Sequence, residues 1–267
     1  MTSKLAPVIS GAPASSVAED SSYLFQPTAS DADGDSLTYR ISNRPAWASF
    51  TSTTGRLSGT PKNGDVGSFH NILMTVSDGS SRGSIVHFII TVNNTNDAPV
   101  ISGAPASSVA EDSSYLFQPT ASDADGDSLT YRISNRPVWA SFTSATGRLS
   151  GTPKNGDVGS YHKILITVSD GAASASIGPF IITVNNTKDA PVISGAPASS
   201  VAEDSNYLFQ PTASDADGDS LTYRISTRPP RASFTSTTGR LSGTPKNGDV
   251  GSCHNIRITG SDGAARA

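Results

Sequence analysis

The side chains best suited to chemistry in this sequence are clustered aspartates. Asp31, Asp33 and Asp35 lie within five residues, and the same pattern returns at 123–127 and at 215–219. Carboxylates this close repel one another unless a counter-charge is present. Calcium suits them, because it takes roughly six to eight hard oxygen ligands and tolerates irregular geometry. The alternative is a solvated Asp-Gly hairpin turn that binds nothing.

Other acids surround these loops. Glu19, Asp65 and Asp78 occur in the first part of the chain, and an Asn/Asp-rich segment follows at 93–97. The loop is not an EF-hand, because the twelfth position counted from Asp31 is a serine where an EF-hand needs a bidentate glutamate. A metal site would therefore draw its ligands from several segments.

The elements that must position these acids repeat along the chain. The segment 7–11 returns at Pro99 and again at Pro191, so the period is 92 residues (99 − 7 and 191 − 99). The first two copies differ at 12 positions, so 80 of 92 are identical. A period of this length is one small domain with its own core. We predict an N-terminal tail at 1–6, copy one at 7–98, copy two at 99–190 and copy three at 191–267.

Each copy is rich in Gly, Pro, Ser, Thr and Asp, which favours short strands joined by turns. We expect about seven strands per copy. Residues 37–41 and 72–76 alternate, with Val76 facing inward and Leu73 outward, and 84–92 is the most apolar strand. The predicted fold class is all-β, with tandem Ig-like or cadherin-like Greek-key β-sandwich domains.

Copy three departs from the other two. It stops before any counterpart of 84–92, and it carries Gly260 at the inward valine position and Arg257 at the outward leucine position. A sandwich without its last strand exposes a sheet edge and an apolar groove, and a glycine removes core volume. We expect copy three to be destabilised, or to borrow a strand from another chain in a strand-exchange oligomer.

Together these motifs resemble those of bacterial cadherin-like repeats, of the dystroglycan-type cadherin and putative-Ig (haemagglutinin-type) families. Residues 96–99 resemble the cadherin linker that ends in Asn-Asp-Asn-Ala-Pro, 31–33 its Asp-x-Asp motif, and 77–79 its last calcium-binding segment. Glu19 stands where cadherins place their first calcium-binding glutamate. The resemblance covers nearly the whole chain, and it implies calcium ions between successive domains of an extracellular protein.

The resemblance also implies which residues hold calcium at each junction between copies. The first junction would use Glu19, Asp65, Asn94, Asn96, Asp97, Asp123, Asp125 and Asp170. The second junction would use Glu111, Asp157, Asn186, Asp189, Asp215, Asp217 and Asp262. Asp31, Asp33 and Asp78 are the equivalent acids of copy one. Cadherins supply a further glutamate after the position of Asp65, so weaker binding is expected here, with Kd of about 0.1–1 mM.

The two junctions differ at one position, where Lys188 replaces Asn96. An ammonium group repels a divalent cation, and the substitution removes a ligand oxygen. We therefore expect the second junction to bind calcium more weakly and to bend more easily than the first.

Composition argues against several function classes. The formal net charge is −4 and no Lys/Arg cluster occurs, which disfavours nucleic-acid binding. No apolar run reaches the roughly 20 residues of a membrane span, and the N-terminus lacks the apolar stretch of a signal peptide. The single cysteine, Cys253, cannot form an internal disulfide. We therefore expect an internal piece of a bacterial surface or secreted protein.

No constellation of residues predicts an enzyme. Residues 79–83 match the Gly-x-Ser-x-Gly pattern of hydrolases, but they lie between two strands, and copy two lacks the serine. Cys253 and His254 are chain neighbours that would point to opposite faces of a strand. Cys253 replaces Phe69, so we predict that it is a small buried residue.

Trp47 and Trp139 raise a second function. Exposed indoles would stack on sugar rings, whereas buried indoles would fill the sandwich. The leading prediction is a calcium-stiffened adhesion or spacer array, whose expected partners are other cell-surface proteins or glycans. The alternative is a carbohydrate-binding accessory module of a secreted hydrolase. Burial of the two indoles discriminates between these functions.

Overall fold

A computed structural model describes residues 4–267, so the first three residues of the predicted tail lie outside it. Copy one contains β1 (Val8–Ser10), β2 (Ser16–Ala18), β3 (Tyr23–Phe25), β4 (Thr28–Ser30), β5 (Thr38–Ser42), β6 (Ala48–Phe50), β7 (Leu57–Gly59), β8 (Gly67–Ser77) and β9 (Arg82–Asn93). Copy two contains β10 (Val100–Ser102), β11 (Ser108–Ala110), β12 (Tyr115–Phe117), β13 (Thr120–Ser122), β14 (Thr130–Ser134), β15 (Ala140–Thr143), β16 (Arg148–Gly151), β17 (Gly159–Ser169) and β18 (Ser174–Asn185).

Copy three has fewer strands than the others. They are β19 (Val192–Ser194), β20 (Tyr207–Phe209), β21 (Thr212–Ser214), β22 (Thr222–Ser226), β23 (Ala232–Thr235), β24 (Arg240–Gly243) and β25 (Arg257–Ser261). The helical elements of the described chain are three short 3-10 helices, at Asn63–Asp65, Asn155–Asp157 and Asn247–Asp249. Among residues 4–267, no helix is long and apolar enough to cross a membrane.

Copies one and two are each built from two main sheets. In copy one, a four-stranded sheet has the order β2-β9-β8-β5, and a three-stranded sheet has the order β3-β7-β6. The pair β1-β4 forms a separate ribbon. The strands pair antiparallel except for β2 and β9, which are parallel and join distant parts of the copy. The all-β prediction is confirmed, with nine strands per complete copy instead of about seven.

The core follows the alternation along the long strands. In β8, Ile72, Met74 and Val76 are fully buried, whereas Leu73 between them is half-buried. Ile90 of β9 is also fully buried. Successive side chains of a strand point to opposite faces, so the apolar parity of the sequence decides which residues fill the sandwich.

Both tryptophans pack into these cores. Trp47 meets Tyr23 and Phe69 edge to face, with ring centroids 5.7 and 6.1 Å apart. Trp139 makes the same two contacts in copy two. Each indole Nε1 is buried, although the residues as a whole are half-buried. The indoles therefore contribute to the core.

Copy three keeps only part of this architecture. Strand β25 pairs with β22, and an isolated bridge joins Ser261 to Arg266. Within 191–267, no strand corresponds to β2 or to β9. The segment 251–256, which corresponds to the first half of β8, is not in a strand. Gly260 is buried at the inward position, as predicted.

The predicted burial of Cys253 is wrong, because the side chain is exposed. Its counterparts, Phe69 and Tyr161, lie on strands that pair with β9 and β18. Copy three has no such partner strand within the described chain, so the segment that carries Cys253 leaves the sheet. His254 is likewise in an irregular segment, so strand geometry does not separate the two side chains.

Candidate metal centres

The three acidic loops, 31–35, 123–127 and 215–219, share one geometry. Gly34 has φ +77°, a left-handed conformation that glycine adopts without strain. This turn directs the backbone N–H groups of Asp33 and Asp35 to Asp31 Oδ1, at 2.9 and 3.2 Å. Asp31 Oδ2 is buried and accepts no hydrogen bond within the described chain. The first aspartates of the other two loops repeat this pattern.

The second aspartate of each loop holds the linker that precedes its copy. Asp125 Oδ2 accepts the backbone N–H of Asp97 at 2.7 Å, and Asp217 Oδ2 accepts that of Asp189 at 2.7 Å. The backbone N–H of Asp189, followed by the side-chain amide of Asn186, holds the pKa of Asp217 below its ordinary value. These bonds bring the linker acids beside the loops.

A further aspartate follows the long strand of each copy. Asp78 Oδ1 accepts backbone N–H groups from residues 80–81, both at 2.6 Å, and these bonds lower its pKa. Its Oδ2 is buried without a partner in the described chain, as is Oδ2 of Asp262. In copy two, by contrast, the side-chain amide of Asn96 donates to Asp170 Oδ2 at 3.0 Å.

Glu19 and Glu111 are the buried charged side chains of residues 4–267. Glu19 Oε1 accepts the backbone N–H of Thr95 at 2.7 Å, and Glu111 Oε1 accepts that of Thr187 at 2.6 Å. The second oxygen of each, Oε2, is buried and has no hydrogen-bond partner in the described chain. Burying an ionised oxygen in this way is unfavourable unless a cation or a proton compensates.

Four groups of carboxylates lie close together, with one oxygen of each residue within 4.8 Å of those of the other members. They are Asp31 with Asp33 and Asp35, Asp123 with Asp125 and Asp127, Asp215 with Asp219 and Asp262, and Glu111 with Asp189 and Asp217. The last group takes one residue from copy two, one from the linker and one from copy three. It therefore bridges two copies.

Some predicted ligands lie outside these groups. Asp65 and Asp157 end 3-10 helices, where each accepts the backbone N–H of the lysine three residues earlier at 2.8 Å. Asn94 is exposed, whereas its counterpart Asn186 donates to Asp217 Oδ1 at 2.8 Å. The role of these residues as ligands stays a prediction.

Two asparagines at the junctions were not among the predicted site residues. The side-chain amide of Asn63 donates to Asp125 Oδ1 at 2.8 Å, and that of Asn155 donates to Asp217 Oδ1 at 3.2 Å. Both begin a 3-10 helix and reach across to the next copy. Their recurrence at the 92-residue period was the available signal, but an Asn-Gly pair is also an ordinary turn.

A lysine contacts the acidic loop in copies one and three. Lys188 Nζ forms an ion pair with Asp219, and Lys4 Nζ pairs with Asp35 at 2.8 Å. The hydrogen bond and negative charge of Asp35 raise the pKa of Lys4. Lys4, Asn96 and Lys188 are equivalent at the 92-residue period. Only copy two has a neutral residue at this position, so its acidic loop keeps its full negative charge.

Comparison with protein families gives three matches along the chain. A family model described as a putative Ig domain matches residues 6–93, 98–185 and 190–267. No curated protein matches the chain.

Several solved structures resemble the chain. An endo-fucoidan hydrolase from glycoside hydrolase family 107 is 25% identical over 99% of this chain and 43% of its own, with a TM-score of 0.32. The chain thus spans about two fifths of that enzyme's length. Protocadherin gammaB7 EC3-6 is 18% identical over 98% of this chain and 75% of its own, with a TM-score of 0.46. Human protocadherin-24 EC1-2 is 20% identical over 68% and 99%, with a TM-score of 0.42.

Proposed function

The chain belongs to the putative Ig domain family, and from that premise we propose that it is a calcium-stiffened spacer or adhesion segment of a cell-surface or secreted protein. One observation carries the proposal: Glu111, Asp189 and Asp217 form a carboxylate group between two copies. Glu111 is 2% exposed, and its Oε2 has no hydrogen-bond partner in the described chain. A divalent cation would supply the missing counter-charge and would join the copies through the linker.

The donor set favours calcium over other divalent metals. The four carboxylate groups offer hard oxygen donors, and the neighbouring asparagines offer amide oxygens. Calcium accepts such mixed and irregular sets, whereas magnesium demands near-ideal octahedral geometry. Asn96 donates its amide N–H to Asp170, and turning this amide over would present Oδ1 to an ion.

Binding at the junction would stiffen the array by linkage. The ligands come together only when the linker and both copies are aligned, so calcium stabilises the aligned arrangement over bent ones. At a calcium concentration about ten times Kd, this stabilisation is roughly 1.4 kcal/mol. Because the copies are nearly identical, the number of repeats would set the length of the rod. The proposed partners at its ends are other cell-surface proteins or glycans.

The carbohydrate-binding alternative is the weaker candidate. It required exposed aromatic rings, and Trp47 and Trp139 pack against core tyrosines at 5.7 Å between ring centroids. We also propose no catalytic activity, since Ig-like repeats are typically non-catalytic and the clustered acids suit a calcium site.

The test compares Glu111→Gln with Asp112→Asn in the full chain, using calorimetric melting and calcium titration. Asp112 is the adjacent acid, but it is exposed and pairs with Lys154 at 2.7 Å. Glu111→Gln removes a buried charge, and its new amide N–H can donate to Asp189 or Asp217. We therefore expect this variant to be at least as stable as the parent in EDTA, and to lose about tenfold or more in calcium affinity at the second junction.

Asp112→Asn should change the Kd for calcium by no more than about twofold, because losing an exposed ion pair changes little. Small-angle scattering of the parent should show a longer particle in calcium than in EDTA. Identical melting and scattering in calcium and EDTA would refute the proposal, as would equal losses of calcium affinity in the two variants.

A further inference from the structure

Each copy contains one Asn-Gly pair, at residues 63–64, 155–156 and 247–248. In each pair the asparagine begins a 3-10 helix and the glycine is exposed. Asparagine is a chemically labile residue, and a glycine after it leaves the backbone nitrogen open to the side-chain carbonyl, because glycine has no Cβ. Each pair is therefore a candidate site of spontaneous deamidation.

The folded structure does not itself require glycine at these positions. A Cβ built on Gly64 would meet no atom within 4 Å, and the same holds at Gly156 and Gly248. None of the three has the left-handed backbone that favours glycine. An alanine would therefore fit without strain, and its main effect would be to hinder the approach of the backbone nitrogen to the asparagine side chain.

The reaction needs only water. The backbone nitrogen of Gly64 forms a bond to Cγ of Asn63, and the side-chain amide leaves as ammonia, taking the proton of the glycine N–H. The product is a succinimide ring. Water then opens the ring at either carbonyl and gives aspartate or isoaspartate. Either product carries a carboxylate where the asparagine had a neutral amide, so the local charge falls by one.

Two of these asparagines lie where an added charge has consequences. The amide of Asn63 donates to Asp125 Oδ1 at 2.8 Å and lies 3.5 Å from Asp97 Oδ2. Asn155 makes the equivalent contacts at the second junction, at 3.2 and 3.5 Å. Each amide thus joins one copy to the linker and to the next copy without a metal. A carboxylate in its place would repel both neighbouring acids unless a cation lay between them.

The third pair provides a matched comparison within the same chain. The sequence Lys-Asn-Gly-Asp-Val-Gly occurs at 62–67, 154–159 and 246–251. Asn247 is exposed and its side chain makes no hydrogen bond to any of residues 4–267, whereas Asn63 and Asn155 are half-buried. Any difference in reactivity between the three asparagines therefore comes from the contacts at the junctions.

We propose that Asn63 and Asn155 are deamidation sites, and that the reaction replaces a metal-independent hydrogen bond between copies by a carboxylate that requires a cation. The product at Asn63 would complete a group of three carboxylates with Asp97 and Asp125. Because hydrolysis is irreversible, the junctions of an aged chain would depend more strongly on the cation than those of a new one. The identity of that cation as calcium rests on the proposed function.

The first experiment incubates the full chain in mildly alkaline buffer with EDTA and follows each Asn-Gly peptide by mass spectrometry. Asn63 and Asn155 should react about tenfold more slowly than Asn247, because each must first break its hydrogen bond to a carboxylate. Gly64→Ala should slow the reaction at Asn63 by a further factor of about ten or more and leave the other two sites unchanged. The proposal is overturned if Asn63 and Asn155 remain intact, if all three sites react at one rate, or if Gly64→Ala has no effect.

The second experiment compares Asn63→Asp, which represents the aspartate product, with Asn247→Asp. In EDTA, small-angle scattering should show a shorter particle for Asn63→Asp than for the parent, because the added carboxylate repels Asp97 and Asp125. Calcium titration should show about tenfold tighter binding at the first junction. Asn247→Asp should match the parent in both measurements. Identical behaviour of the two variants would overturn the proposal.

The two experiments separate this inference from the proposed function. If calcium had no effect on the parent chain, the proposed function would fail, while the deamidation rates and the scattering in EDTA would still decide the present inference. If the parent bound calcium but Asn63→Asp titrated like the parent, this inference alone would fail.

Discussion

Exchanging the residues at one linker position should exchange the calcium affinities of the two junctions. Lys188 pairs with Asp219, a member of the carboxylate group formed with Asp215 and Asp262. Its counterpart Asn96 is neutral and contacts Asp170 instead. Lys188→Asn should therefore tighten calcium binding at the second junction, and Asn96→Lys should weaken it at the first.

The magnitude follows from Coulomb's law. A calcium ion about 2.4 Å from an Asp219 oxygen would lie about 5 Å from the ammonium that contacts this carboxylate. The side chains of Lys188 and Asp219 are 45% and 34% exposed, so the dielectric constant of water is the appropriate choice. The repulsion between charges of +2 and +1 is then about 1.7 kcal/mol, or roughly fifteenfold in Kd. The lost ion pair itself is worth little at such exposure.

Calorimetric titration of the full chain provides the assay. The parent should show one tighter and one weaker class of sites. Lys188→Asn should lower the Kd of the weaker class toward that of the tighter class. Asn96→Lys should raise the Kd of the tighter class toward that of the weaker class. Both shifts should shrink as salt rises from about 0.05 to 0.5 M, because the charges are exposed to screening. Lys4→Asn at the first acidic loop should leave both junctions unchanged.

If both variants titrated like the parent, the charge at this linker position would have no effect on calcium binding, contrary to the prediction. Weaker binding by Lys188→Asn would also contradict the prediction, because the lysine would then organise the site instead of competing with the ion. A shift of equal size at high and low salt would show that the effect is structural and not electrostatic.

Three further predictions concern stability. Gly260→Val should raise the melting temperature of copy three by restoring about 1–2 kcal/mol of burial, because a Cβ there meets no neighbour closer than 3.7 Å; an unchanged calorimetric transition would contradict this. Trp139→Ala should cost copy two about 3 kcal/mol in denaturant unfolding, whereas Val138→Ala, at a side chain 79% exposed, should be nearly silent; similar losses would mean that the indole is not part of the core. Burial raises the pKa of Tyr23 and Tyr115 to about 12. The contribution of these tyrosines to stability is therefore complete below pH about 10 and is lost as the pH rises toward 12. Absorbance at alkaline pH should show tyrosine ionisation accompanying unfolding.

Much of the fold was predictable because it depends on local alternation. Ile72, Met74 and Val76 are apolar residues at alternate positions, and they are fully buried in β8. The same parity placed Gly260 correctly in the interior. The predicted burial of Cys253 was wrong, because burial at that position depends on a neighbouring strand and not on the residue type alone. Position in a repeat predicts orientation, but the environment comes from the partner strand.

Which residues form the candidate site was easier to predict than how those residues are arranged. The acids recur at the repeat period, and the resemblance to cadherin-like repeats assigned Glu111, Asp189 and Asp217 to one junction, where the structure brings their carboxylates together. Asn63 was missed, because no local pattern distinguishes a turn asparagine from one that reaches the next copy. Lys4 was missed because it precedes the first complete repeat, although it stands 92 residues before Asn96.

The amino-acid sequence was sufficient to show that three similar domains follow one another, which strand faces point inward, and that acidic motifs recur once per domain. These features follow from composition, repeat period and alternation, so each can be recognised from the order of residues along the chain. The fold was needed to show that Glu111 is buried with one oxygen lacking a partner in the described chain, and that Cys253 is exposed. Burial and hydrogen-bond satisfaction arise between segments far apart in the sequence, so they exist only after the strands have paired.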